Sequence, residues 1–296
     1  MSGLVDGVWQ SRWDPSDHDG DGRFLRKPTR FRDPELPGPA VPGRYHLFVA
    51  WTCPWAHRTL LVRALKGLQD RIGVHFANDL SDRSWRFVQP TDSPHGHSWL
   101  YELYQRADPA YTGRVTVPVL WDAVEERILN NESSEIMRIL DRLPSDAPPL
   151  APPGLLSEID AMNERLYHSL NNGVYRAGFA TTQDAYDEAV TGVFSTLDAM
   201  ESHLQGREWL VADQLTESDL RLFVTLFRFD SAYHTLFRCN LRRVADYPNL
   251  RAHTQRIWEL PGVSQTGNIE EAKRGYASIR AVNPHRIVPA GPLRPW

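Results

Sequence analysis

The sequence predicts a small α/β domain followed by an all-helical domain, and three observations carry that prediction. Residues 44–143 read as βαβ and then ββα, residues 144–155 are a proline-rich break, and residues 156–265 are almost wholly helical in period.

Residues 1–43, from "DPSDHDGDGRF" to "DPELPGPAVPG", are rich in Pro, Gly and Asp and follow neither strand nor helix period. They are read as an extended N-terminal arm. "RYHLFVAW" is an apolar run of strand length, and "CPWAHRTLLVRALKGL" continues with Leu60, Leu61, Ala64, Leu65 and Leu68 at helical spacing. "RIGVHFAND" gives a second strand, and residues 81–112 read as irregular and polar. "GRVTVPVLWDAVEERILNNESSEIMRILDRL" then supplies a strand, a hairpin turn near "DAVEER", a short strand and a helix opened by "ESSE". A parallel crossover followed by an antiparallel pair fits a four-stranded sheet of the thioredoxin-like kind.

"LPSDAPPLAPPGLL" is the expected linker, since no helix persists through such proline density. Amphipathic patterns follow at 156–176, 183–205, 216–229 and 248–260, with "TESD" at Thr216–Asp219 resembling a capping box in which Asp replaces Glu. Residues 266–296 are read as a C-terminal extension, returning to extended sequence in "NPHRIVPAGPLRPW".

A formal net charge of -4, from 33 basic and 37 acidic residues, offers no bulk basic field for nucleic acid or an anionic membrane. The expected partner is a small molecule or a protein. Two cysteines and no secretory leader pattern argue for a reducing, cytoplasmic setting. No apolar run approaches the roughly 18 residues of a membrane span.

Cys53 stands where a strand runs into a helix, directly before Pro54. Backbone N–H groups and partial positive charge at a helix start favour a thiolate, and proline suits the first helical position. Thiols so placed ionise well below the ordinary value of about 8.5. Ala56 stands where a resolving cysteine would complete a CxxC, so an external thiol must do the resolving, and glutathione is the abundant cytosolic one. The competing reading is an inert, buried cysteine. Cys239, in "HTLFRCNLRR", has no such setting and is read as structural.

Pro118 in "VTVPVLW" enters a strand, where proline is tolerated and the cis form occurs. In a thioredoxin-like domain it faces the cysteine, and the backbone of Val117 can pair with a bound peptide thiol. "NNESSEI" begins a helix with Glu132 and Ser133. Its N–H groups and the Ser hydroxyl suit a carboxylate and Glu132 suits an α-amino group, as the γ-glutamyl end of glutathione requires. A plain helix cap is the alternative reading of that motif.

"CPWAHRTL", "ADPAYTGRVTVPVLWD", "NNESSEI", "NNGVYRAGFATTQ", "RLFVTLFRFDSAYHTLFRCNLRR" and "NPHRIVPAGP" together resemble the glutathionyl-hydroquinone reductases, the Xi class of glutathione transferases, from about residue 5 to 292. The resemblance implies a two-domain glutathione-transferase fold, a homodimer, and glutathione-dependent removal of glutathione from glutathionyl-hydroquinones. It makes Cys53 the nucleophile and glutathione a co-substrate with no metal. It assigns glutathione contacts to Trp85, Arg114, Val117, Pro118, Glu132 and Ser133. It places Tyr175, Tyr233 and Tyr276 in the aromatic-substrate pocket, with Tyr175 and Tyr276 the candidates to deliver a proton.

The chain departs from the family pattern beside Tyr276, where "GYA" replaces "HYY", so Gly275 and Ala277 make that part of the pocket smaller and less polar. His57, four residues beyond Cys53, is read as structural rather than as a base. "DHDGDG" at 17–22 imitates a calcium loop, but Pro28 occupies the position of its bidentate Glu, so a plain acidic turn is expected. Two rival functions remain open at this point: a conventional glutathione-conjugating transferase, and a non-catalytic binder of glutathione or hydrophobic ligands.

Overall fold

The computed structural model describes residues 2–11, 13, 17–80, 84–89, 93, 95–293 and 296. They divide into two compact units, one of Met1–Ser16 and Lys27–Ala147, the other of Asp17–Arg26 and Pro148–Trp296.

The first unit opens with a short antiparallel hairpin, β1 (Gly3–Val5) and β2 (Val8–Gln10), so the arm is not extended throughout. Its turn places Asp6 at φ 46° and Gly7 at φ 73°. Two left-handed residues match the right-handed strand twist, which is why Asp-Gly is a strong hairpin signal. Gly7 is also required sterically, because a Cβ there would meet the carbonyl oxygen of Pro109 at 1.8 Å.

A four-stranded sheet follows. β3 (Tyr45–Val49) leads into α1 (Pro54–Leu65), which returns to β4 (Ile72–Phe76), parallel to β3. Beyond a two-residue pair, β5 (Asp79–Leu80) and β6 (Trp85–Arg86), comes α2 (Leu100–Ala107). Reading 81–112 as irregular therefore missed a helix. At eight residues it covers little more than two turns within a polar stretch, and Glu102 fastens its start by accepting from the Ser98 and Trp99 amides at 2.8 and 2.9 Å. β7 (Val119–Asp122) and β8 (Arg127–Asn130) form the expected hairpin, ahead of α3 (Ser133–Asp141).

The strand order is β4-β3-β7-β8, with β3 antiparallel to β7. The two inner strands are apolar because they are covered on both faces, and Leu47, Phe48, Val119, Leu120 and Trp121 are all fully buried. α1 packs on α3, where the buried Lys66 ammonium lies 3.3 Å from the Asp141 carboxylate.

The second unit is helical: α4 (Leu156–Leu166), α5 (Gly173–Phe179), α6 (Gln183–His203), α7 (Glu217–Arg228), α8 (His234–Leu236), α9 (Pro248–Trp258) and α10 (Ile269–Ala277). α10 lies inside the stretch expected to be an extension. Its Tyr276 and Ala277 are buried in the main apolar core, and Asn268 caps it through the Glu271 amide at 3.1 Å. The expected capping box of α7 is present, with Asp219 Oδ2 accepting from the Thr216 amide at 2.8 Å and hydroxyl at 3.0 Å. The other oxygen, Oδ1, accepts from the Leu210 amide at 2.9 Å and lies 3.0 Å from His253 Nε2, fastening α7 to the preceding loop and to α9.

Two π-helical turns interrupt the unit, Tyr167–Asn171 before α5 and Phe229–Tyr233 after α7. Segment 17–26 belongs here rather than to a separate arm. In "DHDGDG", Asp19 Oδ1 accepts from the Asp21 and Arg23 amides at 3.0 and 2.9 Å, the bonding of an acidic turn.

Candidate active site

Cys53 caps α1. Its backbone is extended, φ −81° and ψ 116°, Pro54 takes the first helical position, and the Ala56 N–H donates to Sγ at 3.4 Å. The thiol donates in turn to the Val117 carbonyl at 3.3 Å, and the Val117–Pro118 bond is cis. The strand-to-helix junction thus delivers the sulfur to the segment that enters β7, as expected. With 8% of its surface exposed, the thiol is mostly shielded from water, and the Ala56 N–H and the helix start favour negative charge on it. Cys239 is fully buried, and burial pushes its thiol up to about 12. The two cysteines thus differ in setting, Cys53 at a helix start and Cys239 inside the helical core.

Glu132 is the N-cap of α3. Its Oε1 accepts from the Ser134 amide at 3.2 Å, the Ser134 hydroxyl at 3.0 Å and the Ser133 hydroxyl at 3.5 Å. Ser133, 3% exposed, also accepts from Arg58 Nη1 at 3.5 Å. α1 consequently carries Cys53 at its start and, one turn on, the cation that reaches Ser133. Trp85 stands half-buried on β6, and Arg114, also half-buried, lies before β7 with its carbonyl accepting from the Tyr111 hydroxyl at 2.9 Å. His57 is buried within α1.

Several contributors escaped the sequence reading. Arg58 is 1% exposed, with its guanidinium 4.5 Å from the Trp55 ring centroid. A charged residue on the buried face of a helix that otherwise packs is the signal that would have found it. Asn130 and Asn131 shape the approach to α3. Asn130 Oδ1 accepts from the Glu132 amide at 2.7 Å, and Asn131 bonds the Phe31 amide and the Tyr104 hydroxyl, each at 3.2 Å. Paired asparagines after an apolar strand satisfy backbone groups that the sheet no longer serves.

In the helical unit the three predicted tyrosines meet. Tyr276 Oη lies 2.6 Å from Tyr175 Oη and 2.8 Å from Tyr233 Oη, giving a continuous chain of three hydroxyls. Tyr233 and Tyr276 are buried, whereas Tyr175 is half-buried and forms the more accessible end. Burial raises the ionisation of Tyr233 and Tyr276 well above the ordinary 10.0, and the nearby Tyr175 adds to it, while the hydrogen bond with Tyr276 works the other way on Tyr233. Such a chain holds protons firmly and can pass one along. Gly275 and Ala277 are both buried beside Tyr276, Ala277 within the core. Arg26 places its guanidinium 4.7 Å from the Tyr175 ring centroid and donates through Nε to Asn172 Oδ1 at 2.7 Å.

Comparison with known proteins identifies the family and the fold. Residues 52–143 match the family model described as glutathione S-transferase, N-terminal domain, and residues 183–256 the corresponding C-terminal domain. The glutathionyl-hydroquinone reductase PcpF of Sphingobium chlorophenolicum is 51% identical, covering 100% of this chain and 97% of its own length. The crystal structure of the glutathione S-transferase Xi from Phanerochaete chrysosporium superposes with a TM-score of 0.90 at 43% identity, covering 97% of this chain and 98% of the other. The glutathione-bound structure of YqjG from Escherichia coli K-12 gives a TM-score of 0.85 at 40% identity, with 99% and 96% covered.

Proposed function

Since this chain belongs to the glutathione S-transferase family, within its Xi class of glutathionyl-hydroquinone reductases, we propose that it is an enzyme that reduces glutathionyl-hydroquinones to hydroquinones at the expense of glutathione. The observation that carries this reading is the placement of Cys53 Sγ at the start of α1, 3.4 Å from the Ala56 amide and 3.3 Å from the Val117 carbonyl. A nucleophilic sulfur beside a backbone edge suits attack on a peptide-borne sulfur.

In the proposed sequence the Cys53 thiolate attacks the glutathione sulfur of the substrate. The sulfur–carbon bond breaks, its electron pair goes to the ring carbon, and that carbon takes a proton, releasing hydroquinone and leaving a Cys53–glutathione disulfide. A second glutathione, as thiolate, attacks the glutathione sulfur of that disulfide, forming glutathione disulfide and restoring the Cys53 thiolate. Overall, the substrate's thioether sulfur and the thiol sulfur of one glutathione are oxidised to a disulfide as the ring carbon–sulfur bond is reduced to carbon–hydrogen. The ring proton is assigned to the tyrosine chain, with Tyr175 or Tyr276 as donor.

Glutathione is placed on the first unit: the Val117 backbone beside Pro118 pairs with its cysteinyl portion, Glu132 and Ser133 at the start of α3 take its γ-glutamyl end, and Trp85 and Arg114 add contacts. Tyr175, Tyr233 and Tyr276 receive the aromatic ring. The same reading puts the enzyme in the cytoplasm as a homodimer, for which light scattering is the check on assembly. A conjugating transferase has less support, because a disulfide-forming cysteine competes with simple thiol activation.

The test is stoichiometry. Wild type with glutathionyl-hydroquinone and glutathione is expected to form one glutathione disulfide per hydroquinone, and Cys53→Ala neither. Turnover by Cys53→Ala would overturn the proposal.

A further inference from the structure

Segment 17–26 is fastened along its length to the end of α5 and the beginning of α6. His18 Nε2 lies 2.9 Å from the Phe179 carbonyl, the Thr181 amide donates to the Gly22 carbonyl at 3.1 Å, and the Thr182 hydroxyl donates to the Asp21 carbonyl at 2.7 Å. Arg23 Nε reaches Glu188 at 2.8 Å, and the buried Phe24 ring packs 5.3 Å from that of Phe179. Gly22, at φ 82°, is pressed so closely that a Cβ would meet Thr181 Oγ1 at 2.6 Å. These bonds fix the backbone from which Arg26 departs.

Arg26 touches two points of one functional element. Its Nε bonds Asn172, whose carbonyl accepts from the Tyr175 and Arg176 amides at 3.1 and 2.9 Å at the start of α5. Its guanidinium covers the Tyr175 ring at 4.7 Å. Tyr175 is the half-buried end of the hydroxyl chain, where a proton would leave, while Tyr233 and Tyr276 are enclosed. A cation over a phenol ring both fixes the ring and favours the negative charge that develops as the proton departs. Arg is suited to this double duty in a way Lys is not, because a planar guanidinium stacks while its edge donates.

We propose that Arg26 is a positioning residue for the reaction, acting through Tyr175, so that the N-terminal segment is a working part of the site. The proposal rests on the reductase reading and goes beyond it.

The experiment compares wild type, Arg26→Met and Arg26→Lys in full-length protein, with two substrates: a glutathionyl-hydroquinone, whose carbon must be protonated, and the mixed disulfide of glutathione and 2-mercaptoethanol, which needs only thiol exchange. Arg26→Met is expected to lower kcat for hydroquinone release about tenfold. KM should stay within about twofold and disulfide exchange should be unchanged. Its alkaline limb should move upward by about half a pH unit, because loss of the cation weakens the acid. Arg26→Lys, keeping charge without the stack, should recover part of the rate. Equal loss on both substrates, or lower kcat with an unmoved alkaline limb, would reduce Arg26 to a structural role and overturn the proposal, as would an unchanged kcat. Failure of the reductase reading is separate: wild type itself would then release no hydroquinone.

Discussion

The Cys53 sulfur lies 3.3 Å from the carbonyl oxygen of Val117, the residue before cis Pro118. That contact joins the start of α1 to the segment entering β7, 64 residues further along the chain. The thiol is thereby held against the backbone of the segment that leads into β7.

Selective alkylation follows from the contrast between the cysteines. Cys239 is fully buried and its thiol is pushed up to about 12, so at pH 8 it stays protonated. Iodoacetamide applied to native protein is expected to label Cys53 and leave Cys239 untouched until denaturant is added, as peptide mass mapping would reveal.

At the start of α3, substitution separates binding from folding. Ser133→Ala should raise KM for glutathione about three- to tenfold with little change in kcat, since under the proposed placement of glutathione it removes a contact made equally in ground and transition states. Glu132→Ala should do the same and also lower stability by about 1 kcal/mol, because the carboxylate caps the helix through the Ser134 amide. Denaturant titration alongside kinetics distinguishes the two effects.

Tyr276 is the middle member of the hydroxyl chain, so Tyr276→Phe breaks it on both sides. Hydroquinone release should fall about 100-fold while exchange with a simple mixed disulfide persists. The same array sets an alkaline limit on stability. Tyr233 and Tyr276 keep their protons above the ordinary 10.0, so as pH rises through that value the unfolded chain loses protons first and stability falls. Denaturant midpoints measured on both sides of that pH check the sign, and Tyr276→Phe should flatten the decline.

Asp219 is fully buried and accepts hydrogen bonds from the Thr216 amide and hydroxyl and from the Leu210 amide, beside His253. Asp219→Ala leaves those donors buried and unsatisfied, and should cost about 3 kcal/mol or more of stability, read from urea denaturation.

The legible parts of this fold were those written in local pattern. The βαβ crossover, the hairpin after Val119 and the Thr216–Asp219 cap each depend on a few adjacent residues, and the structure places them as read. α2 and α10 were not legible because each is short, eight and nine residues, and set among irregular or proline-rich sequence that hides so brief a pattern. The hairpin at Asp6–Gly7 was legible in principle, but its strands of three residues are too short to stand out. Cys53, Val117, Glu132 and Ser133 stood out because their chemistry coincides with element boundaries. Arg26 and Arg58 did not, because a cation's partners across the fold leave no mark on its neighbours in sequence.

The most direct test is a single turnover without added glutathione. Purified protein mixed with glutathionyl-hydroquinone should release one hydroquinone per active site and gain one glutathionyl group, mapped to Cys53 by peptide mass and lost on reduction, with Cys53→Ala inert. Hydroquinone release without the adduct, or an adduct on another residue, would contradict the account.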